Sequence, residues 1–195
     1  MNAVTAVPQR PSRRSPAVPS GVLGILILTV TEAMFFAGLM SAHTIVKASA
    51  VMGIWPPEGQ PRLPAGQTAF NTACLFLSGA ALLWAHRTFA KDSKTALRAL
   101  LVSTVLGTGF VALQGREWVA LIAEGLTLTS SSHGGFFYVI VGLHAAHALV
   151  AIVALTWATW RLRQQALLST QLWAVEAYWY FVIALWPIIY VRVYF

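Results

Sequence analysis

Residues 22–46 read VLGILILTVTEAMFFAGLMSAHTIV, and Glu32 is the single Asp, Glu, Lys or Arg in this stretch. A helix rises 1.5 Å per residue, so about 20 apolar residues cross the roughly 30 Å hydrocarbon core of a bilayer. Backbone N–H and C=O groups in lipid must bond to one another, which only a helix allows within one segment. The stretch is therefore predicted to be a transmembrane helix with an acid near its middle.

Four more apolar runs follow the first one and are long enough to span a bilayer. The predicted spans are Val22–Val46, Gln67–Trp84, Leu97–Val119, Phe136–Trp160 and Leu172–Tyr194. The whole chain is 57% hydrophobic and 10% charged, whereas soluble domains carry about 25% charged residues. The predicted fold is an all-α bundle of five transmembrane helices over residues 21–195. Residues 1–20, rich in Pro and Arg, are predicted to be a disordered tail.

The basic residues are divided unequally between the two sides of the predicted bundle. Nine of the 13 Lys and Arg residues fall in the N-terminal tail and in the connections after the second and fourth spans. The positive-inside rule therefore predicts a cytoplasmic N-terminus and an external C-terminus. No basic helix face is present, so nucleic-acid binding is not expected despite the net charge of +7. Five tryptophans near span ends predict interfacial anchors: Trp55, Trp84, Trp118, Trp160 and Trp173.

Ionisable residues inside the spans are the candidates for function. An acid such as Glu32 costs several kcal/mol at mid-membrane unless it is paired, protonated or hydrated. It is either a functional group or a protonated carboxyl bonded to a neighbouring helix. His144 and His147 lie one turn apart on one helix face, and interhelical hydrogen bonding is favoured over haem ligation. A haem held by two helices needs imidazoles at matching depth, which only His43 and His133 provide.

Other polar residues lie nearer the predicted span ends. Arg116 and Glu117 are interpreted as a snorkelling pair or a clamp for a lipid headgroup. Glu124 and Glu176 are interpreted as solvated. The sequence contains no phosphate loop, no nucleophile with a base and no cluster of metal ligands. We therefore expect no catalytic residue, metal or other cofactor in this chain.

Five groups of residues occur in an order and spacing typical of one known family. They are Thr31–Gly38 with Glu32 before two aromatics, Trp55-Pro56-Pro57 with Trp84-Ala85-His86, Gln114 with Glu117, Gly142-Leu143-His144 with His147, and Tyr178–Val182 with Trp186 and Tyr190. Together they resemble subunit III of the haem–copper respiratory oxidases, from about residue 21 to the end. The chain looks like a shorter form of that family, with five helices instead of seven.

The resemblance implies a non-catalytic subunit of a cytochrome c or quinol oxidase in an aerobic respiratory chain. Subunits of this family pack on the catalytic subunit I, bind phospholipid and support proton uptake and stability during turnover. Haem and copper are expected in the partner subunits, and the location is expected to be a bacterial plasma membrane. The positions matching the family's support residues are Glu32, Trp84, His86, Glu117, His144 and His147.

Three alternatives remain at the level of sequence. One is the accessory subunit of a nitric oxide reductase, which belongs to the same superfamily. A second is a free-standing transporter or proton channel that uses Glu32, although no repeat between the halves of the chain supports it. A third is a haem-carrying membrane cytochrome, which a Soret band of the isolated chain would reveal.

Overall fold

The computed structural model describes residues 20–50, 55–57 and 59–195. Within this part of the chain it contains five helices and no strand: α1 (Ser20–Ala48), α2 (Ala65–Phe89), α3 (Ser93–Ala123), α4 (Ser132–Arg163) and α5 (Ser169–Tyr194). All five are long and apolar enough to cross a membrane, which confirms the predicted fold class. Residues 1–19, nearly all of the predicted tail, lie outside the described residues.

Successive helices run in opposite directions; three of the four connections are short, with 3, 8 and 5 residues, and the α1–α2 connection has 16. We call the end that carries the α1–α2 and α3–α4 connections the outer end, after the predicted orientation, and the opposite end the inner end. The described part of the α1–α2 connection contacts the α3–α4 connection at the outer end. There, Ser130 Oγ and Ser131 Oγ in the α3–α4 region donate to Gln60 Oε1 at 3.1 and 3.3 Å.

The helices extend beyond the predicted spans by up to about one turn. The second span was predicted to end at Trp84, and α2 continues to Phe89. Hydropathy marks the part of a helix in hydrocarbon, whereas a helix ends where a cap bonds its last free groups. At the start of α3, Asp92 Oδ1 accepts from the N–H groups of Lys94 and Thr95 at 2.9 and 3.2 Å. The Thr95 hydroxyl, together with these amides, holds the pKa of Asp92 below its ordinary value.

Helices α2 and α3 pack most closely, and a tryptophan of α5 lies against both of them. Trp179 on α5 is completely buried, and its Nε1 donates to Ser78 Oγ on α2 at 3.1 Å. Ser78 Oγ in turn donates to the backbone oxygen of Ser103 on α3 at 2.8 Å. The indole ring lies directly against Gly107, where an added Cβ would be 2.7 Å from Trp179 Cζ2. A glycine at this position therefore allows the two helices to approach closely.

Helix α1 is attached more loosely than the others. It packs on α5 and α4, and only Val22, Phe36 and His43 are buried among its residues. Phe36 is the principal anchor, since its ring is completely buried and lies edge-on to His147 at 5.4 Å between centroids. Much of the remaining α1 surface is apolar and uncovered.

The predicted tryptophan anchors divide into two groups. Trp84, Trp160 and Trp173, at the inner end, are more than half exposed, as expected for side chains at a membrane interface. Trp55 and Trp118, toward the outer end, are half-buried. Their rings pack inside the protein, Trp55 against His133 and Trp118 against Tyr138. The outer tryptophans therefore contribute to packing between helices.

We expect Gly107→Ala to destabilise the bundle by about 1–3 kcal/mol, because the new methyl group would displace the fully buried Trp179 ring. The measurement is thermal unfolding of the detergent-purified chain. Gly109→Ala on the same helix is the matched control, since a Cβ there meets nothing within 4 Å. Equal stability of the two variants would contradict close packing at Gly107.

Candidate functional site

The six predicted site residues do not form one site. Five of them lie at three different depths along the bundle: at its middle, near its inner end and near its outer end. The residues at each depth make their own polar or aromatic contacts. The sixth, Trp84, lies on the surface of α2 with 62% of its area exposed. The sequence therefore identified residues of several separate contacts, which are described from the middle of the membrane outward.

Glu32 and His147 form a pair between α1 and α4 at mid-membrane. Glu32 Oε2 lies 3.3 Å from His147 Nε2. Glu32 is twelve residues into α1, or about 18 Å along its axis, and His147 is at the middle of α4. The side chains are 28% and 16% exposed, respectively. The acid therefore has a protein partner, as its position required, but remains partly open at the surface of the bundle.

The second ring nitrogen of His147 determines which atoms of the pair can bind a further proton. Its Nδ1 lies 2.7 Å from the backbone oxygen of Leu143, and a carbonyl oxygen only accepts. Nδ1 therefore carries a hydrogen. In the neutral ring Nε2 then has no hydrogen, and its lone pair faces Glu32. The contact is favourable when one further proton is present, either on the carboxyl or on Nε2. The pair can thus hold one exchangeable proton.

His144, one turn from His147, makes a different kind of contact. It is 1% exposed, and its ring stacks on Trp186 of α5 with centroids 5.1 Å apart. Neither ring nitrogen has a hydrogen-bond partner among the described residues. Interhelical hydrogen bonding was predicted for both histidines: His147 has the ion-pair contact with Glu32 on α1, whereas His144 has no hydrogen bond to another helix among the described residues. The two histidines share one helix face but have different neighbours: His147 contacts an acid on α1, and His144 contacts an indole on α5.

His86 contacts Glu176 near the inner end of the bundle. His86 Nδ1 on α2 lies 2.8 and 3.0 Å from the two carboxyl oxygens of Glu176 on α5. Glu176 is only 8% exposed, so its interpretation as a solvated residue is wrong. The reason is that α5 begins seven residues earlier, at Ser169, which places Glu176 two turns inside the helix and level with His86.

Glu117 is the centre of a hydrogen-bond network near the outer end, joining α2, α3 and α5. Asn71 Nδ2 donates to its Oε1 at 2.9 Å. Thr68 Oγ1 and Gln114 Nε2 donate to its Oε2, each at 2.9 Å. Gln114 Nε2 also donates to the Tyr194 hydroxyl at 2.9 Å. Glu117 is consequently 6% exposed, and three donors from two helices stabilise its carboxyl group.

The interpretation of Arg116 and Glu117 as a snorkelling pair is wrong. Adjacent residues on a helix point about 100° apart, so the two side chains cannot share one face. Arg116 is exposed, and Glu117 is buried against α2. The two ion pairs in the described part of the chain are instead Glu32–His147 and His86–Glu176.

His43 and His133, the two histidines at matching depth, are both buried near the outer end. The ring of Trp55 lies 5.6 Å from His43 and 5.2 Å from His133 between centroids. An indole therefore contacts both imidazoles in the region where a haem would have to fit. In the described part of the chain, no three His, Cys, Asp or Glu side chains lie together as metal ligands. That this chain carries no cofactor remains a prediction.

Several contributors to these contacts were not singled out from the sequence as site residues. Thr68, Asn71 and Tyr194 belong to the Glu117 network, and Trp186 covers His144. Their partners are separated by tens of residues along the chain, so spacing within one helix gave no signal. Matching polar residues of different spans by depth would have indicated the His86–Glu176 pair.

The arrangement is that of a polytopic membrane protein whose ionisable side chains pair between helices. A family model described as cytochrome c oxidase subunit III matches residues 11–195. The chain is 32% identical over 179 residues to cytochrome c oxidase subunit 3 of Lycodon semicarinatus, and the aligned region covers 88% of this chain and 67% of that protein. It is 30% identical over 189 residues to the Bos taurus protein of the same name, covering 92% and 71% respectively.

The chain belongs to the cytochrome c oxidase subunit III family. This confirms the resemblance drawn from the sequence motifs. Membership makes the chain a membrane subunit of a multi-subunit oxidase of the respiratory chain.

Replacement of Glu117 should destabilise the outer half of the bundle. Glu117→Leu leaves the donors of Thr68, Asn71 and Gln114 without their acceptor, at a cost of about 1–3 kcal/mol for each that finds no other partner. Thermal unfolding in detergent measures the loss. Arg116→Gln is the control, because Arg116 is exposed and outside the network. If both variants lost equal stability, the carboxyl would not be acting through these three bonds.

Proposed function

We propose that this chain is a non-catalytic subunit III that packs on the catalytic subunit I of a haem–copper terminal oxidase. In this role it binds phospholipid, supports proton uptake and keeps the complex active during turnover. The observation that carries the proposal is the Glu32–His147 pair, which lies at mid-membrane and is partly open on the surface of the bundle. An ionisable pair exposed to hydrocarbon is unfavourable, so a neighbouring subunit is expected to cover it.

The surface of α1 beside this pair has features of a helix–helix contact. Ala33, Ala37 and Ser41 are spaced four residues apart, so they lie along one face of the helix, and all three are exposed. Small residues at this spacing let helices in a membrane approach closely. Among the described helices, α1 packs on α5 and α4 and leaves much of its apolar surface uncovered, so the proposed subunit I contact lies along α1.

The proton-uptake role rests on the chemistry of the pair. One proton is shared between Glu32 and an imidazole whose other nitrogen is fixed by Leu143. The proton can lie on the Glu32 carboxyl or on His147 Nε2, and its release leaves a carboxylate beside a neutral imidazole, so uptake and release change the charge of the pair by one. Haem and copper are proposed to lie in the partner subunits, and the bacterial plasma membrane is the proposed location.

The alternatives make different predictions about partners. The relatives named above are called cytochrome c oxidase subunit 3, which favours an oxidase over a nitric oxide reductase. Membership of a subunit family likewise favours a complex over a free-standing transporter or a cytochrome. Mass spectrometry of proteins that copurify with the tagged chain would identify the catalytic partner directly.

We expect Ala37→Leu to reduce assembly with the catalytic subunit, because the larger side chain would separate α1 from its partner helix. The measurement is the ratio of catalytic subunit to tagged chain after purification, and we expect a severalfold drop. Ala73→Leu, an equally sized change at an exposed position on α2, is the control. Equal ratios for both variants would exclude α1 as the contact.

Glu32→Ala should leave insertion and assembly largely intact, because it removes a carboxyl from the membrane. The mutant complex should then lose oxygen-reducing activity progressively during turnover, while its initial rate stays near that of the wild type. His147→Leu should reproduce this decay, since it removes the other half of the pair. Glu124→Ala, at an exposed position between α3 and α4, is the control. Inactivation of both pair variants at the wild-type rate would remove the pair from the proposed role.

A further inference from the structure

A groove of about 540 Å³ lies on the surface of the bundle between the outer halves of α2 and α3. Gln67, at the third position of α2, and Arg116, seven residues before the end of α3, line its outer part. Gln67 is the first residue of the predicted second span, and Arg116 lies three residues before the end of the predicted third span. The outer part of the groove is therefore at the boundary between hydrocarbon and headgroups.

The lining becomes apolar one turn deeper. Phe70 follows Gln67 by three residues on α2, and Leu113 precedes Arg116 by three residues on α3, so each lies about 4.5 Å further into the bilayer on the same side of its helix. Phe70 is 67% exposed, and Leu113 is half-buried. Polar side chains at the headgroup level with apolar side chains below them match the order of groups along a phospholipid.

The polar side chains of the outer part are accessible to a ligand. Arg116 and Gln67 are both exposed, and Arg116 belongs to neither ion pair of the described residues. An arginine near a span end extends its guanidinium group toward the headgroups. The guanidinium group is a planar fork of N–H donors that fits the oxygens of a phosphate group, and the amide of Gln67 both donates and accepts.

The charge of the lining favours an anionic ligand. Besides Arg116, the one ionisable side chain that lines the groove is Glu117, which is 6% exposed and whose carboxyl oxygens are held by three donors. A ligand in the groove therefore meets the guanidinium charge directly, whereas a headgroup ammonium would find no accessible carboxylate in this lining. The first turn of α2 has no side-chain cap, so its free N–H groups add a weaker positive potential.

We propose that this groove binds an anionic phospholipid of the outer leaflet. The phosphate accepts from Arg116, a headgroup hydroxyl bonds to the Gln67 amide, and one acyl chain packs against Phe70 and Leu113. This binding rests on the phospholipid role proposed above and assigns to it a place in the chain and a charge of the lipid. The chain can be tested alone, so a negative result would leave the proposed contact with subunit I, which copurification measures, unaffected.

The test compares two lipids with identical acyl chains, dioleoylphosphatidylglycerol and dioleoylphosphatidylcholine. Each is titrated into the detergent-purified full chain, and native mass spectrometry measures the fraction with one lipid bound. We expect phosphatidylglycerol to bind at least about fivefold tighter, because its headgroup carries a hydroxyl for Gln67 and no cation beside Arg116. Equal affinity for the two lipids would overturn the proposal.

A soluble competitor distinguishes a lipid from a free phosphate ester. Glycerophosphoglycerol has the headgroup of phosphatidylglycerol without the chains, so it buries no apolar surface against Phe70 and Leu113. We expect it to compete at least about a hundredfold less well than the lipid. Competition as strong as that of the lipid would show a site for soluble phosphate esters and would contradict lipid binding.

Charge variants locate the phosphate. Arg116→Gln should weaken phosphatidylglycerol binding about five- to tenfold and remove most of the preference over phosphatidylcholine. Arg192→Gln is the matched control, since Arg192 is exposed near the outer end of α5, lies outside the lining and carries the same charge. Equal losses in the two variants would indicate general attraction to a basic protein instead of a site in the groove.

A bulky variant blocks the groove without changing the charge. Ala120 is exposed and lines the groove, so the indole of Ala120→Trp should occupy the lipid's place and weaken phosphatidylglycerol binding severalfold. Ala112→Trp is the matched control, at an exposed position of α3 outside the lining. Wild-type affinity in both Ala120→Trp and Arg116→Gln would place the lipid elsewhere on the chain.

Discussion

Within lipid, a polar atom of this protein can bond only to other atoms of the protein or of a partner. Two arrangements in the structure satisfy this constraint. Exposed threonines such as Thr29, Thr44 and Thr156 donate to backbone oxygens of their own helix. Other polar groups lie between helices instead, where Glu117 and Ser78 each join α2 to α3. Helix contacts thus form where polar side chains need partners, and the apolar surface is left for the bilayer.

The polar contacts at the three depths differ in what they can do. The Glu117 carboxyl is enclosed by three donors, which favours a fixed structural role. Glu176 is likewise nearly buried beneath His86, although the imidazole remains accessible. The Glu32–His147 contact is the pair at mid-membrane, it accepts a single additional proton, and it lies beside the uncovered surface of α1. These differences explain why the proposed role in proton uptake rests on that pair alone.

The number and type of the helices could be predicted from the sequence, because apolar runs of the length of a bilayer admit one conformation. The helix ends could not, since Asp92 and other caps act outside the hydrocarbon. Glu32 was recognisable as a residue that needs a partner, but the identity of the partner depended on how α1 rotates against α4. His144 was misjudged for the same reason, because the direction in which a side chain points is set by neighbouring helices that are distant in sequence. Glu176 was misjudged because α5 begins at Ser169, which places it two turns inside the helix.

The position of α5 has a consequence for biogenesis. Its side chains reach every other helix: Trp179 contacts α2 and α3, Trp186 contacts α4, and its backbone runs beside α1. Yet α5 is the last of the five helices to leave the ribosome. Until it enters the bilayer, Ser78, Thr72 and His86 lack their indole or carboxyl partners, and α1 lacks its main support. The first four helices therefore lack these contacts in the membrane until synthesis reaches α5.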